Sequence, residues 1–185
     1  MNVLTLITIL VFGDSLSSNP AAFYPLADTY ETIEVRKGWA THDGWNTEHL
    51  LDPVYAPAEC GGLSPVECEL ALGGNVAVMS IGTNDPDSNF VDGTYINRLR
   101  QIAVLAQVYG VELIIVRPPV SFFRQAVVEL RNDQIDQVCR EYGLDCIDMY
   151  HAIGWDCLQE DAVHIRSECY SIWNDEIFRA VSLYQ

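Results

Sequence analysis

Short Val/Ile-rich runs bounded by turn residues recur along this chain, and segments with helical periodicity lie between them. No other feature restricts the fold so strongly. The runs are Val3–Phe12, Thr32–Val35, Asn75–Ile81, Val111–Val116 and Leu144–Asp148, continuously apolar as strands buried on both faces are. Thr94–Tyr109 sets Ile96, Leu99, Ala103 and Ala106 on one face and stops at Gly110; Ala126–Tyr142 groups Ile135, Val138, Cys139 and Tyr142 and stops at Gly143. Glycine after the last helical residue is a common stop. A last helix from about Ser167 spaces Trp173, Ile177, Val181 and Tyr184 along one stripe. Ser64-Pro65-Val66-Glu67 is a capping box that starts a short helix to about Leu72, and Asn46 can cap another to Leu51. Residues 17–31 are ambiguous, because Pro20 suits a helix start whereas Pro25 breaks or kinks one.

Alternation of this kind predicts an α/β fold, a parallel five-stranded sheet covered by helices on both faces. At 185 residues, with no repeat or linker, a single domain over 1–185 is expected. Ligands of such sheets bind beyond the carboxyl ends of the strands, so chemistry is sought in the loops after Phe12, Val35, Ile81, Val116 and Asp148.

Charge excludes one class of partner. Ten Lys+Arg against 26 Asp+Glu give a net charge of −16, which leaves no basic surface for a nucleic-acid backbone or an anionic membrane. A membrane span needs about 20 apolar residues. The run Val3–Phe12 is shorter, lacks the positive flank of a signal peptide and passes directly into Gly13, so it is expected to be a strand. The six cysteines, at 60, 68, 139, 146, 157 and 169, lie as three neighbouring pairs. Paired, they point to an oxidising, extracytoplasmic compartment; free, they are ordinary buried thiols of the cytosol. No Cys/His spacing suits zinc, and no metal or cofactor is expected.

Three strand or loop ends carry chemistry. Gly13-Asp14-Ser15-Leu16 places a serine just past the first strand, where its hydroxyl can leave the sheet and its N–H can face a developing oxyanion. Gly82-Thr83-Asn84-Asp85 follows the third strand and offers the Asn84 amide toward the same rim. Asp161-Ala162-Val163-His164 supplies the imidazole that a serine nucleophile needs and an aspartate three residues earlier to orient it. Asp148-Met149-Tyr150-His151 repeats that spacing, but Asp148 closes the fifth strand and a solvated histidine is expected at 151.

With these blocks in this order the chain resembles the GDSL/SGNH hydrolases, whose first, third and fifth blocks the three segments match. The resemblance implies a three-layer α/β/α sandwich with a flavodoxin-like sheet. It assigns Ser15 as nucleophile, His164 as general base and Asp161 as its orienting acid, with Ser15 N–H and Asn84 as oxyanion donors. A third donor in that family is a glycine N–H after the second strand. Gly38 fits that place best, and Gly44 lies close. The implied activity is carboxylic-ester hydrolysis through an acyl-enzyme. Short, acetyl-like acyl groups are favoured because the chain has no room for a large lid, and the ester is one of a small molecule or a carbohydrate. An acyltransferase using the same triad and a non-catalytic flavodoxin-like domain binding a nucleotide or flavin are the alternatives. Acidic residues around these blocks disfavour anionic substrates such as acyl-CoA.

Overall fold

The computed structural model describes residues 6–119 and 125–184; the first three residues of the expected first strand, Val3–Thr5, lie outside them. Five strands, β1 (Ile7–Gly13), β2 (Ile33–Arg36), β3 (Val76–Ser80), β4 (Glu112–Arg117) and β5 (Asp145–Asp148), form one sheet in the order β2-β1-β3-β4-β5. Every pairing is parallel, as the expected α/β sandwich requires.

Strand alternation divides the core into two layers. Ile7, Ile9, Val11, Val78, Ile114 and Val116 face one side, and Leu10, Phe12, Ala77, Met79, Leu113 and Ile115 face the other. In chain order the helices are α1 (Ser15–Ser18), α2 (Tyr24–Thr29), α3 (Thr47–Leu51), α4 (Pro65–Ala71), α5 (Asp87–Val91), α6 (Thr94–Tyr109), α7 (Gln125–Tyr142), α8 (Met149–Ala152) and α9 (Tyr170–Val181). The first layer is closed by α1, α2, α8 and α9 through Leu16, Leu26, Met149, Trp173 and Ile177. The second is closed by α4, α6 and α7 through Val66, Leu70, Leu99 and Ile135. Burying both sheet faces is what lets the strands read as unbroken apolar runs.

Two segments differ from the sequence expectation. Ser167–Cys169 is a single 3-10 turn, α9 begins only at Tyr170, and Tyr184 lies in a further 3-10 turn after the helix. Pro25 is tolerated because it sits in the first turn of α2, where its missing N–H costs nothing. Phe23, ahead of that helix, adopts φ +65°. Asn174 from α9 holds this bend, accepting from Phe23 N–H at 2.8 Å and donating to Ala21 O at 2.9 Å.

The cysteines pair as sequence neighbours: Cys60–Cys68, Cys139–Cys146 and Cys157–Cys169. No helix among the described residues is long and apolar enough to cross a membrane.

Candidate active site

The end of β1 can be made only with glycine. A Cβ on Gly13 would lie 2.3 Å from Ser80 O and 2.7 Å from Ser17 Oγ, so the chain passes flush against β3 before turning into α1. Asp14 caps that turn, its Oδ1 accepting from Leu16 N–H at 3.1 Å. Ser15 is therefore the first residue of a helical turn at the carboxyl edge of an interior strand, and it is only half-buried.

Ser15 Oγ lies 2.9 Å from His164 Nε2, and His164 Nδ1 lies 2.6 Å from Asp161 Oδ2. These partners fix the tautomer: Nδ1 carries the proton toward the carboxylate, leaving Nε2 to accept from the serine hydroxyl. The other carboxylate oxygen, Oδ1, accepts the backbone N–H groups of Val163 and His164 at 3.0 and 2.9 Å. The His164 side-chain bond, followed by the backbone bonds, lowers the Asp161 pKa to about 2. Asp161 is thus an anion at neutral pH.

The loop carrying this pair is built as a small closed frame. Leu158 bridges Ile165 in antiparallel fashion, Gln159 N–H donates to His164 O at 2.8 Å, and Arg166 donates from N–H to Cys157 O and from Nε to Leu158 O, both at 2.8 Å. Ala162 turns the loop at φ +54°. Outside all of this the Cys157–Cys169 disulfide closes the frame. Sequence reasoning noted those cysteines only as a pair; their positions four residues before Asp161 and five after His164 were the available signal.

The loop after β3 makes the opposite wall. Gly82 has φ +114°, and a Cβ there would meet Tyr95 OH at 2.6 Å and Arg131 Cδ at 2.9 Å. Asn84 is exposed, and its Nδ2 donates to Trp45 O at 3.1 Å, which takes one of its two N–H groups. Its neighbour Asp85 is buried and receives Thr47 N–H at 3.0 Å and Thr47 Oγ1–H at 2.6 Å. The β3 loop therefore grips the segment after β2 at two adjacent points. Asp85 and Thr47 escaped sequence reasoning because nothing in either segment announces a partner 38 residues away.

The two glycines after β2 occupy different surroundings. Gly38 packs against Glu69 of α4: a Cβ there would lie 1.7 Å from Glu69 Oε1, the same oxygen that accepts Trp39 N–H. Glu69 is buried and Arg36 Nε lies 3.4 Å from its Oε2. Gly44 has φ +75° with nothing within 4 Å of a would-be Cβ. Its neighbours Asp43 and Trp45 are the residues that bond Ser18 and Asn84.

A cleft of 440 Å³ opens beside Asn84, lined by Phe90, Val127, Val128, Arg131 and Val163 among others. The Asp148–His151 pair copies the geometry of the first, with Nδ1 at 2.6 Å from Oδ2. Here Arg117 also holds the carboxylate at 2.8 Å, and the His151 side chain is 72% exposed. Of the acids near the blocks, Asp14 and Asp85 are buried, leaving Asp43, Asp87 and Asp161 at the surface.

Burial pushes the Asp14 carboxyl up to about 6, against the opposing pull of the Leu16 N–H, Thr83 and the Arg131 charge. Thr83 stands close without completing a hydrogen bond, since Asp14 Oδ2 and Thr83 Oγ1 both lack a partner. An ordinary aspartate near 3.8 releases its proton earlier than this one, so folding takes up a proton between the two values and stability falls as pH rises through that window. The loss is about 3 kcal/mol above pH 6. Asp14→Asn keeps the cap acceptor without the buried charge. It is expected to melt roughly 5–10 °C above the parent at pH 8 and level with it at pH 4; thermal melts at the two pH values check this, and an equal difference at both would refute it.

The fold recurs in solved structures. A psychrotrophic esterase EstA from Pseudoalteromonas sp. superposes with TM-score 0.70 at 15% identity, covering 96% of this chain and 97% of its own. An acetyl xylan esterase from Geobacillus stearothermophilus gives 0.70 at 15%, covering 100% and 99%. A member of the lipolytic protein G-D-S-L family from Veillonella parvula gives 0.67 at 17%, covering 95% and 98%. No family model matches the sequence, and no curated protein does.

Proposed function

We propose that this chain, acting as one unit, is an SGNH-type serine carboxylic-ester hydrolase for short acyl groups, acetyl above all. The continuous hydrogen-bonded run from Ser15 Oγ through His164 to Asp161 carries the reading. The matching fold of esterases, including an acetyl xylan esterase, supports it.

In this mechanism His164 Nε2 takes the Ser15 hydroxyl proton as Oγ attacks the ester carbonyl. The imidazolium is stabilised by Asp161 and returns the proton to the departing alkoxide. Water, deprotonated by the same nitrogen, then releases the acyl group from Ser15. The carbonyl oxygen gathers charge toward Ser15 N–H and the Asn84 amide, donors that do not reorganise during the step. For the third donor we assign Gly44 N–H in preference to Gly38. Gly44 lies between the residues bonded to Ser18 and Asn84, whereas Gly38 is engaged with α4. The 440 Å³ cleft with its valines and Phe90 receives the acyl group, and the acidic surface residues at the rim favour uncharged esters.

A fluorophosphonate probe tests the reading, with an adduct expected on Ser15 by mass spectrometry. Turnover of 4-nitrophenyl esters is expected to fall from acetate through butyrate to octanoate. An unlabelled protein, as a nucleotide- or flavin-binding domain would be, overturns the hydrolase assignment; a maximum at octanoate overturns the acyl preference.

A further inference from the structure

Joined to Asn84 through Trp45 O, and outside the lining of the cleft, is a cluster of rings that the reaction above does not use. His42 and Trp45 stack with centroids 5.3 Å apart and planes 22° from parallel, and Trp45 and His49 with 5.9 Å and 16°. Tyr55 stands edge-on to both, 4.5 Å from His49 and 6.2 Å from Trp45. Rings assembled for core packing are buried, yet here His42 is exposed and Tyr55 keeps 43% of its surface in water. Trp45 leans on the core.

The cluster is tied to the reaction centre. His42 N–H donates to Gly13 O at 3.1 Å, two residues before Ser15, and Trp45 O accepts from Asn84. It is also held in place before any ligand arrives. Asn46 caps α3 by accepting from Glu48 and His49 N–H groups, while His49 Nδ1 accepts Asn46 N–H at 3.1 Å. Asp85 pins Thr47 from below. A preset aromatic surface loses little entropy on binding, so its contact area converts into affinity.

We propose that the His42–Trp45–His49–Tyr55 cluster is a saccharide subsite that takes the alcohol side of the ester, a neutral O-acetylated pyranose. The proposal rests on the ester-hydrolase reading and narrows its substrate. An acyl group already has a place in the cleft beside Asn84, where Phe90, Val127, Val128 and Val163 supply apolar wall. The ring cluster instead alternates electron-rich faces with polar edges: imidazole nitrogens, the Trp45 indole and the Tyr55 hydroxyl. A pyranose presents weakly positive C–H groups on one face and hydroxyls around its rim, which is the complement of such a surface. Exposed Asp43, which holds Ser18 Oγ–H, and Glu48, paired with Arg98 at 2.8 Å, keep further carboxylate lone pairs for hydroxyl hydrogen bonds, and the Asp43 charge disfavours a uronate or a phosphorylated sugar.

The test compares two acetyl esters with different alcohols, 4-nitrophenyl acetate and a mono-O-acetylated xylo-oligosaccharide. Tyr55→Ala and His42→Ala, both at exposed positions, are expected to lower kcat/KM on the oligosaccharide about tenfold more than on the aryl ester, chiefly through KM. Tyr55→Phe, which keeps the ring, recovers most of the difference. Binding of the unacetylated oligosaccharide to Ser15→Ala protein, read by calorimetry, is expected to weaken by a similar factor when Tyr55→Ala is added. Equal losses on both esters, or a parent that cleaves only the aryl ester, overturn the saccharide subsite and leave the hydrolase reading intact. A parent inert to both esters and unlabelled by fluorophosphonate overturns both.

Discussion

Replacing Ser15 by alanine is expected to lower kcat on 4-nitrophenyl acetate by about four to six orders of magnitude while leaving the melting temperature within a few degrees of the parent. The size follows from chemistry: without Oγ no acyl-enzyme forms, and what survives is the contribution of the oxyanion donors to direct attack by water. The small effect on stability follows from structure. Ser15 is half-buried, and its side chain bonds only to His164 among the described residues, so alanine removes one hydrogen bond from an otherwise unchanged turn. Asp161→Asn should cost less, about two to four orders of magnitude, because nucleophile and base remain but the imidazole loses its anionic partner. A Ser15→Ala protein with more than a tenth of parental activity would remove Ser15 from the mechanism.

Opening the Cys157–Cys169 disulfide is the second large effect. The double variant Cys157→Ser/Cys169→Ser is expected to lose ten- to a hundredfold in kcat while keeping its far-ultraviolet circular dichroism. The sheet does not depend on this crosslink, whereas Asp161 and His164 sit inside the loop that it closes. A displacement of about 1 Å between base and nucleophile is enough for a loss of that order. Stability should fall as well, by roughly 3 kcal/mol for a loop of this length. The Cys139–Cys146 bridge, which joins the end of α7 to β5, separates the two consequences. Its removal should cost comparable stability with little change in kcat. Equal losses of kcat in the two double variants would show that the Cys157–Cys169 clamp does not position the histidine.

How much of this was legible before the structure depended on whether the determinant was local. The strands could be read because burial on both faces leaves Val and Ile with no polar alternation, and the helix ends because Gly110 and Gly143 stop them in αL. Ser15, Asn84, Asp161 and His164 stood out because each sits at a strand or loop end beside a turn residue. The choice between Gly38 and Gly44 could not be read. Both lie in a stretch without periodicity, and our assignment of Gly44 turns on Glu69, some 30 residues after Gly38 on another element. The Asp85–Thr47 tie was invisible for the same reason, whereas the clamp around His164 had a local signal in the two cysteines that flank Asp161 and His164. The course of residues 17–31 turned on Asn174, which arrives from α9 to stabilise the bend at Phe23.

The double grip of the β3 loop bears on how the site behaves when the protein fluctuates. Asn84 is exposed and Asp85 is buried, and both hold the segment 45–47. The amide of Asn84 and the backbone around Gly44 consequently belong to one mechanical piece, although they come from different strands. In the mechanism proposed above, this tie sets the spacing of the two assigned oxyanion donors before the substrate arrives.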